Sequence, residues 1–318
     1  MAKSWVDGAI VRYSGLLGRR EGILRTACRR LVMRANCAKH GARLAFDGDH
    51  IDVSKGTRII RISALHFPCA LDMARAFEDY FTPFAPAAEK GKLVIDYSRP
   101  KLHRYLSSGL EFELSSFPEE ESAINDYFRW YQPKPGDVIF DIGAYCGVST
   151  YHFSQAVGPS GKVYAFEPDP LNFPLLERNI GRHNLTNVVP LAIAFSNKSG
   201  FAEFCTEGTP GSTLAAHSER HYPGSVRVET ITFAEACAYY GVPALAKVDI
   251  EGAEIAVIRA AADVIKSHPI NFTLDTSHFV AGELSNRAVE EIFRSCNYEV
   301  ESSDQCGLMT TWARPARK

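Results

Sequence analysis

The stretch Val138-Ile-Phe-Asp-Ile-Gly-Ala-Tyr-Cys-Gly147, followed by Val163-Tyr-Ala-Phe-Glu-Pro168, limits what this chain can fold into more than any other. Val138 to Phe140 is the short continuous apolar run of a strand covered on both faces. Gly143 and Gly147 let the backbone turn sharply before a helix begins. A second buried strand follows and ends at Glu167. In an open parallel sheet the carboxyl ends of the strands form the ligand edge, where a carboxylate can accept hydrogen bonds from both hydroxyls of a ribose. Asp141 and Glu167 at such strand ends predict a nucleoside-containing ligand. The competing reading is a doubly wound sheet whose glycine turn binds nothing.

The glycines narrow the choice of nucleoside. A dinucleotide fingerprint needs a second glycine two residues after the first, for close approach to a pyrophosphate, and a third for helix packing. Tyr145 and Val148 stand at those places. S-adenosylmethionine has a ribose and an adenine but no phosphate, and it tolerates a bulkier turn. The sequence therefore favours it over NAD.

A third block, Ala244-Leu-Ala-Lys-Val-Asp-Ile-Glu-Gly-Ala-Glu254, reads as another buried strand ending near Asp249 and feeding a helix from about Gly252. With Pro135-Gly-Asp-Val-Ile-Phe-Asp-Ile-Gly-Ala144, Phe166-Glu-Pro168, Val228-Glu-Thr-Ile-Thr232 and Leu274-Asp275, it resembles the FkbM family of class I methyltransferases, over residues 119 to 303. Asp-Ile-Glu-Gly-Ala-Glu is the specific part. The resemblance implies a doubly wound, mostly parallel seven-stranded α/β sheet and S-adenosylmethionine as methyl donor. It also implies O-methylation of a sugar, polyketide or lipid-linked glycan hydroxyl. It assigns cofactor contacts to Asp141, Gly143, Ala144, Tyr145, Gly147, Glu167, Pro168 and Asp249, and places Ala194 and Phe195, after the third strand, beside the adenine. Two positions depart from the family pattern: Tyr145 stands where Asn is usual, and Asp275 where Glu is frequent.

At 318 residues and 46% hydrophobic, the chain can bury one domain of about 180 residues plus a smaller one. A basic helical arm is expected over residues 1–42, a small α+β domain over 43–118 and the cofactor-binding domain over 119–318. Residues 1–43 carry +8, which leaves −10 on the rest of a chain whose net charge is −2. No apolar run reaches the ~18 residues of a membrane span, and the start lacks the core of a signal peptide. Eight cysteines without a Cys-x-x-Cys pair read as reduced thiols in a cytoplasmic protein, without a zinc site.

Helical periodicity covers Ile10 to Ala38, with Ile23, Leu24, Ala27, Cys28 and Leu31 on one face. Strands are predicted around the Asp47-Gly-Asp turn, over Lys92–Tyr97 and over Leu110–Leu114, and helices over Cys69–Phe81 and Glu120–Tyr131. Beyond the turn Pro133-Lys-Pro-Gly136, strands near Val138, Val163, Val188, Leu245 and Phe272 alternate with helices, and Tyr298–Glu301 with Leu308–Trp312 forms an antiparallel edge pair. The loop Gly208-Thr-Pro-Gly-Ser-Thr213 is either a mobile lid or a plain surface loop.

The sulfonium of S-adenosylmethionine is already activated, so the protein must align a nucleophile and exclude water. An alcohol acceptor also benefits from a nearby base. Asp249, Glu251, Asp275 and His278 lie at the ligand edge, and His278, Asp249 and Asp275 are the catalytic candidates. His278 is the expected base because it titrates near neutrality; capping a strand is its alternative role. Glu254 has a sufficient structural reason at a helix start. The carboxylates are close enough to hold a hard divalent ion, but no metal site is expected. No nucleic-acid module is present. The basic arm reads either as a solvated structural helix or as a contact with an anionic membrane surface. The competing function is a binding protein that keeps the nucleoside pocket without transfer.

Overall fold

Alternate residues of each central strand enter two different apolar layers, and this alternation sets the architecture. Ile139 lies in one layer with Phe153, Val157, Val163, Leu176 and Leu245. Its neighbour Phe140 lies in the other with Phe166, Phe233, Phe272 and Phe293. The computed structural model describes residues 23–119, 121–215, 225–280, 282–305 and 308–316. They form two compact units that meet in sequence between Pro118 and Glu119.

The second unit carries the seven-stranded sheet. Its strands are β1 (Val138–Ile142), β2 (Lys162–Phe166), β3 (Val188–Leu191), β4 (Leu245–Val248), β5 (Asn271–Asp275), β6 (Tyr298–Gln305) and β7 (Leu308–Pro315). The order is β3-β2-β1-β4-β5-β7-β6. Strands β1 to β5 pair in parallel, and β7 runs antiparallel to both β5 and β6. Helices α1 (Val148–Val157), α2 (Phe173–Arg182), α3 (Phe233–Tyr240), α4 (Glu254–Ala260) and α5 (Asn286–Ser295) fill the connections. The strand order reverses between β1 and β4, which opens the ligand crevice of a doubly wound sheet at the ends of those two strands. Asp141 is in β1, and Asp249 follows β4 directly.

A four-stranded sheet adjoins it in sequence, in the order Ile193–Phe195, Ser225–Ile231, Gly200–Cys205, Thr213–Leu214. Helix α4 starts at Glu254, two residues later than predicted, and the predicted helix over Glu120–Tyr131 is only Ala123–Tyr127 among the described residues. Beyond it the Tyr131 hydroxyl and the Lys134 N–H both donate to Asp137 Oδ2 at 2.7 Å, drawing the chain into the turn before β1.

In the first unit a five-stranded sheet runs Arg43–Asp47, His50–Lys55, Arg58–Ser63, Lys92–Tyr97, Ala87–Glu89. Lys101–Arg104 and Glu111–Leu114 form a separate hairpin. The predicted helix over Cys69–Phe81 breaks at Ala76 (φ −97°, ψ 38°) into Ala70–Arg75 and Phe77–Phe81. The arm is helical over Ile23–Ala38; residues 10–22 of the predicted helix lie outside the described residues. Its inward face differs from the expected one. Met33 and Cys37 are buried, whereas Leu31 is 67% exposed and Cys28 is exposed. The guanidinium groups of Arg30 and Arg34 stack over Phe46 at 4.7 and 5.1 Å, so arginine stems cover apolar surface where leucine was expected. No described cysteine forms a disulfide. Among the described residues, no helix is long and apolar enough to cross a membrane.

Candidate active site

The turn after β1 is closed on itself. Gly143 has φ +81°, and a Cβ there would stand 1.8 Å from the Asp249 carbonyl oxygen. The N–H groups of Gly143 and Ala144 both donate to Phe166 O at 3.0 Å, and that of Gly147 donates to Ala144 O at 2.9 Å. Tyr145, itself left-handed at φ +50°, donates its N–H to Glu167 Oε2 at 2.8 Å. These four donors are taken up within the protein. An incoming pyrophosphate would find none of them and would meet a carboxylate instead.

Glu167 is buried at the end of β2, and its second oxygen accepts the Asp169 N–H at 2.9 Å. Each oxygen keeps a lone pair for a ribose hydroxyl. Burial pushes its pKa up to about 8, and the two backbone donors pull the other way. Asp169, absent from the sequence-based candidates, is fully buried and gathers a loop. It accepts from Thr206 Oγ1 at 2.6 Å, Ser212 Oγ at 2.5 Å and Gly208 N at 3.2 Å. At its other end Thr213 Oγ1 donates to Glu251 O at 3.0 Å. The glycine-rich segment is thus a strap fastened beside both Glu167 and the turn after β4. Its Thr and Ser content was the available signal.

Lys247 is the second residue the sequence reading passed over, hidden as one lysine in an apolar strand. It pairs directly across the sheet with Asp141 and is only 2% exposed. Its Nζ donates to Gly143 O at 2.5 Å and lies 3.5 Å from Asp141 Oδ1 and 3.9 Å from Asp249 Oδ2. Burial opposes its charge, yet Asp141, Asp249 and Glu119 outweigh burial and hold the ammonium above the usual lysine range. Asp141 Oδ2 accepts from Ser149 at 3.0 Å and Thr150 at 2.6 Å, so the start of α1 is tied to the same charge. Burial raises Glu119 to about 7.

Asp249, Glu251, Glu254, Asp275 and His278 gather at the ends of β4 and β5. Burial raises the Asp249 pKa, reinforced by Asp275 and Glu251 and opposed by Lys247; its Oδ1 is buried and accepts no hydrogen bond. Glu251 is left-handed at φ +54°. His278 Nε2 lies 3.4 Å from Glu251 Oε1, and Nδ1 lies 3.0 Å from Glu254 Oε1 without hydrogen-bond alignment. Burial alone would lower the imidazole pKa, but Glu251, Glu254 and Asp275 drive it well above the ordinary value. Asp275 Oδ1 is occupied by the Ser277 N–H at 2.9 Å and the Ser277 hydroxyl. Phe195 packs its ring against Phe166 at 4.7 Å and belongs to the core, which leaves Ala194 as the small residue after β3.

Residues 141–300 match the methyltransferase FkbM domain. The chain belongs to the FkbM methyltransferase family. It is 31% identical over 144 residues to the hexuronic acid methyltransferase AglP of Haloferax volcanii, a match covering 45% of this chain and 56% of AglP. The chain thus spans little more than half of AglP. The 2-O-methyltransferase NoeI of Sinorhizobium fredii is 26% identical over 51% of this chain and 73% of NoeI. Among solved structures, the methyltransferase FkbM of Methylobacillus flagellatus aligns with a TM-score of 0.45 and 13% identity, over 61% of this chain and 48% of that one.

Proposed function

We propose that this chain transfers a methyl group from S-adenosylmethionine to a hydroxyl of a sugar, polyketide or lipid-linked glycan. The observation that carries the cofactor assignment is the closed turn: its N–H groups are consumed internally, while Glu167 presents a buried carboxylate to a ribose. S-adenosylmethionine supplies an activated methyl on a sulfonium. Asp141, Gly143, Ala144, Tyr145 and Gly147 shape the cofactor side, Pro168 fixes the chain after Glu167, and Ala194 leaves room for a base. Asp249, whose Oδ1 is uncommitted, orients the acceptor hydroxyl. His278 is held between Glu251 and Glu254 beside that hydroxyl, and Asp275 is tied to Ser277. The strap over residues 206–213 limits access of water. The hexuronic acid named for AglP favours a sugar among the acceptor classes.

Calorimetric titration with S-adenosylmethionine, its demethylated product and NAD tests the cofactor, and a mass-spectrometric screen for the gain of one methyl tests transfer. Preference for NAD would overturn the reading. Cofactor binding without any methylated product would favour the non-catalytic binding protein. Glu167→Gln should weaken S-adenosylmethionine by about 1–3 kcal/mol with the fold intact. The ionised carboxylate alone accepts two hydroxyls, and with a pKa near 8 it is the minor form at pH 7. Wild-type affinity should therefore rise about tenfold from pH 7 to pH 9, and the Gln variant should lose that rise. A flat wild-type profile would remove Glu167 from ribose binding.

For the arm, exposed Leu31 and Val32 beside arginines support contact with an anionic lipid surface. Liposomes containing anionic lipid should retain the full chain at low salt and release it as salt rises. Equal partitioning after removal of residues 1–39 would leave the arm a structural helix.

A further inference from the structure

We propose that Asp249, Glu251 and His278 form a divalent-cation site on the acceptor side of the crevice. One ligand atom from each lies within 4.8 Å of the other two. Donors at about 2.1–2.2 Å from a common ion stand roughly 3 Å apart when adjacent and a little over 4 Å when opposite. Small side-chain rotations therefore close the set on an ion.

Two further observations point to a ligand here. The His278 side chain is nine-tenths buried with Nε2 turned to Glu251, while Nδ1, 3.0 Å from Glu254 Oε1, makes no aligned hydrogen bond. Asp249 Oδ1 is likewise buried and accepts none. Behind the imidazole, Glu254 is fully buried and fixed by the N–H groups of Ile250 and Gly252 at 3.0 to 3.2 Å. A carboxylate facing the far nitrogen of a histidine is the arrangement that orients an imidazole toward a metal and strengthens it as a ligand. With Nε2 on the ion and Nδ1–H turned to Glu254, both nitrogens would be satisfied.

Charge and backbone agree with this. Asp249, Glu251, Glu254 and Asp275 gather four carboxylates here, and the Lys247 ammonium 3.9 Å from Asp249 Oδ2 is already engaged by Asp141 and Gly143 O. Glu251 adopts a left-handed conformation that L-residues rarely hold, and Thr213 of the strap fastens its carbonyl. The imidazole beside two carboxylates suits a first-row ion such as Mn²⁺ better than Ca²⁺, which takes oxygen donors. Its open positions would face the acceptor.

The site is tested without cofactor or acceptor, so its failure is separate from failure of the methyl-transfer reading. The full chain, stripped with chelator and dialysed, is titrated with MnCl₂ while free Mn²⁺ is followed by electron paramagnetic resonance. The expected result is one bound equivalent per chain, with nitrogen coupling from His278 in the spin-echo spectrum. Glu251→Gln should weaken binding about tenfold or more, and His278→Gln should do so with loss of the nitrogen signal. Thermal unfolding checks that each variant folds; Asp249→Asn serves if either does not. No binding at millimolar Mn²⁺, or equal binding by wild type and folded variants, would overturn the site.

Discussion

Replacing Lys247 by methionine is expected to lower folding stability by about 3–5 kcal/mol, the scale of removing one partner of a buried ion pair. The size follows from what remains behind. Asp141 is fully buried, and the Lys247 ammonium lies 3.5 Å from its Oδ1. Gly143 O would also lose its 2.5 Å donor, so the glycine turn and the carboxylate are orphaned together. Methionine keeps the apolar stem and most of the volume, which isolates the charge from the packing. Urea unfolding of the variant measures the loss. Asp141→Asn in the same background should recover part of it, because the stranded charge is then gone. A loss below about 1 kcal/mol would mean that water or relaxation already compensates Asp141, and Lys247 would not be the electrostatic centre of the site.

Sequence showed the frame of this site far better than its chemistry. The strands at Val138, Val163, Leu245 and Phe272 are continuous apolar runs, and a buried parallel strand leaves little else for such runs to be. The carboxyl ends then place Asp141, Glu167 and Asp249 at one edge without further information. What stayed hidden depends on partners distant in sequence. Lys247 is meaningful only because β4 pairs with β1 in a register that sets it opposite Asp141. Asp169 matters because a loop more than thirty residues later returns to it, through Thr206, Gly208 and Ser212. His278 was recognised by its intrinsic pKa, but its environment depends on Glu251 and Glu254, which the turn after β4 brings to its two ring nitrogens.

The arm failed for a related reason. Periodicity found a helix, and Ile23–Ala38 is one. It could not say which face turns inward, because arginine stems and guanidinium planes over Phe46 compete with leucine for the same surface. Hydropathy alone assigns the face to Leu31, which is exposed.

Gly143→Ala is expected to cost about 3 kcal/mol or more and to abolish cofactor binding. Its Cβ would fall 1.8 Å from Asp249 O and 2.9 Å from Asp249 C, both backbone atoms at the end of β4. Neither can rotate away. The turn also needs φ +81°, which adds the left-handed penalty of an L-residue, about 1–2 kcal/mol. Gly147→Ala provides the comparison, since it has a similar φ of +91° but meets the end of the Leu176 side chain at 2.7 Å. That methyl group can move, so the second variant should lose only the conformational penalty and a little packing. Chemical denaturation of the pair separates strain, which they share, from collision with β4, which only Gly143→Ala suffers. Equal stabilities would show that β4 yields to the new methyl. In that case Asp249 would shift with its carbonyl, and the acceptor side, not the cofactor side, would carry the defect.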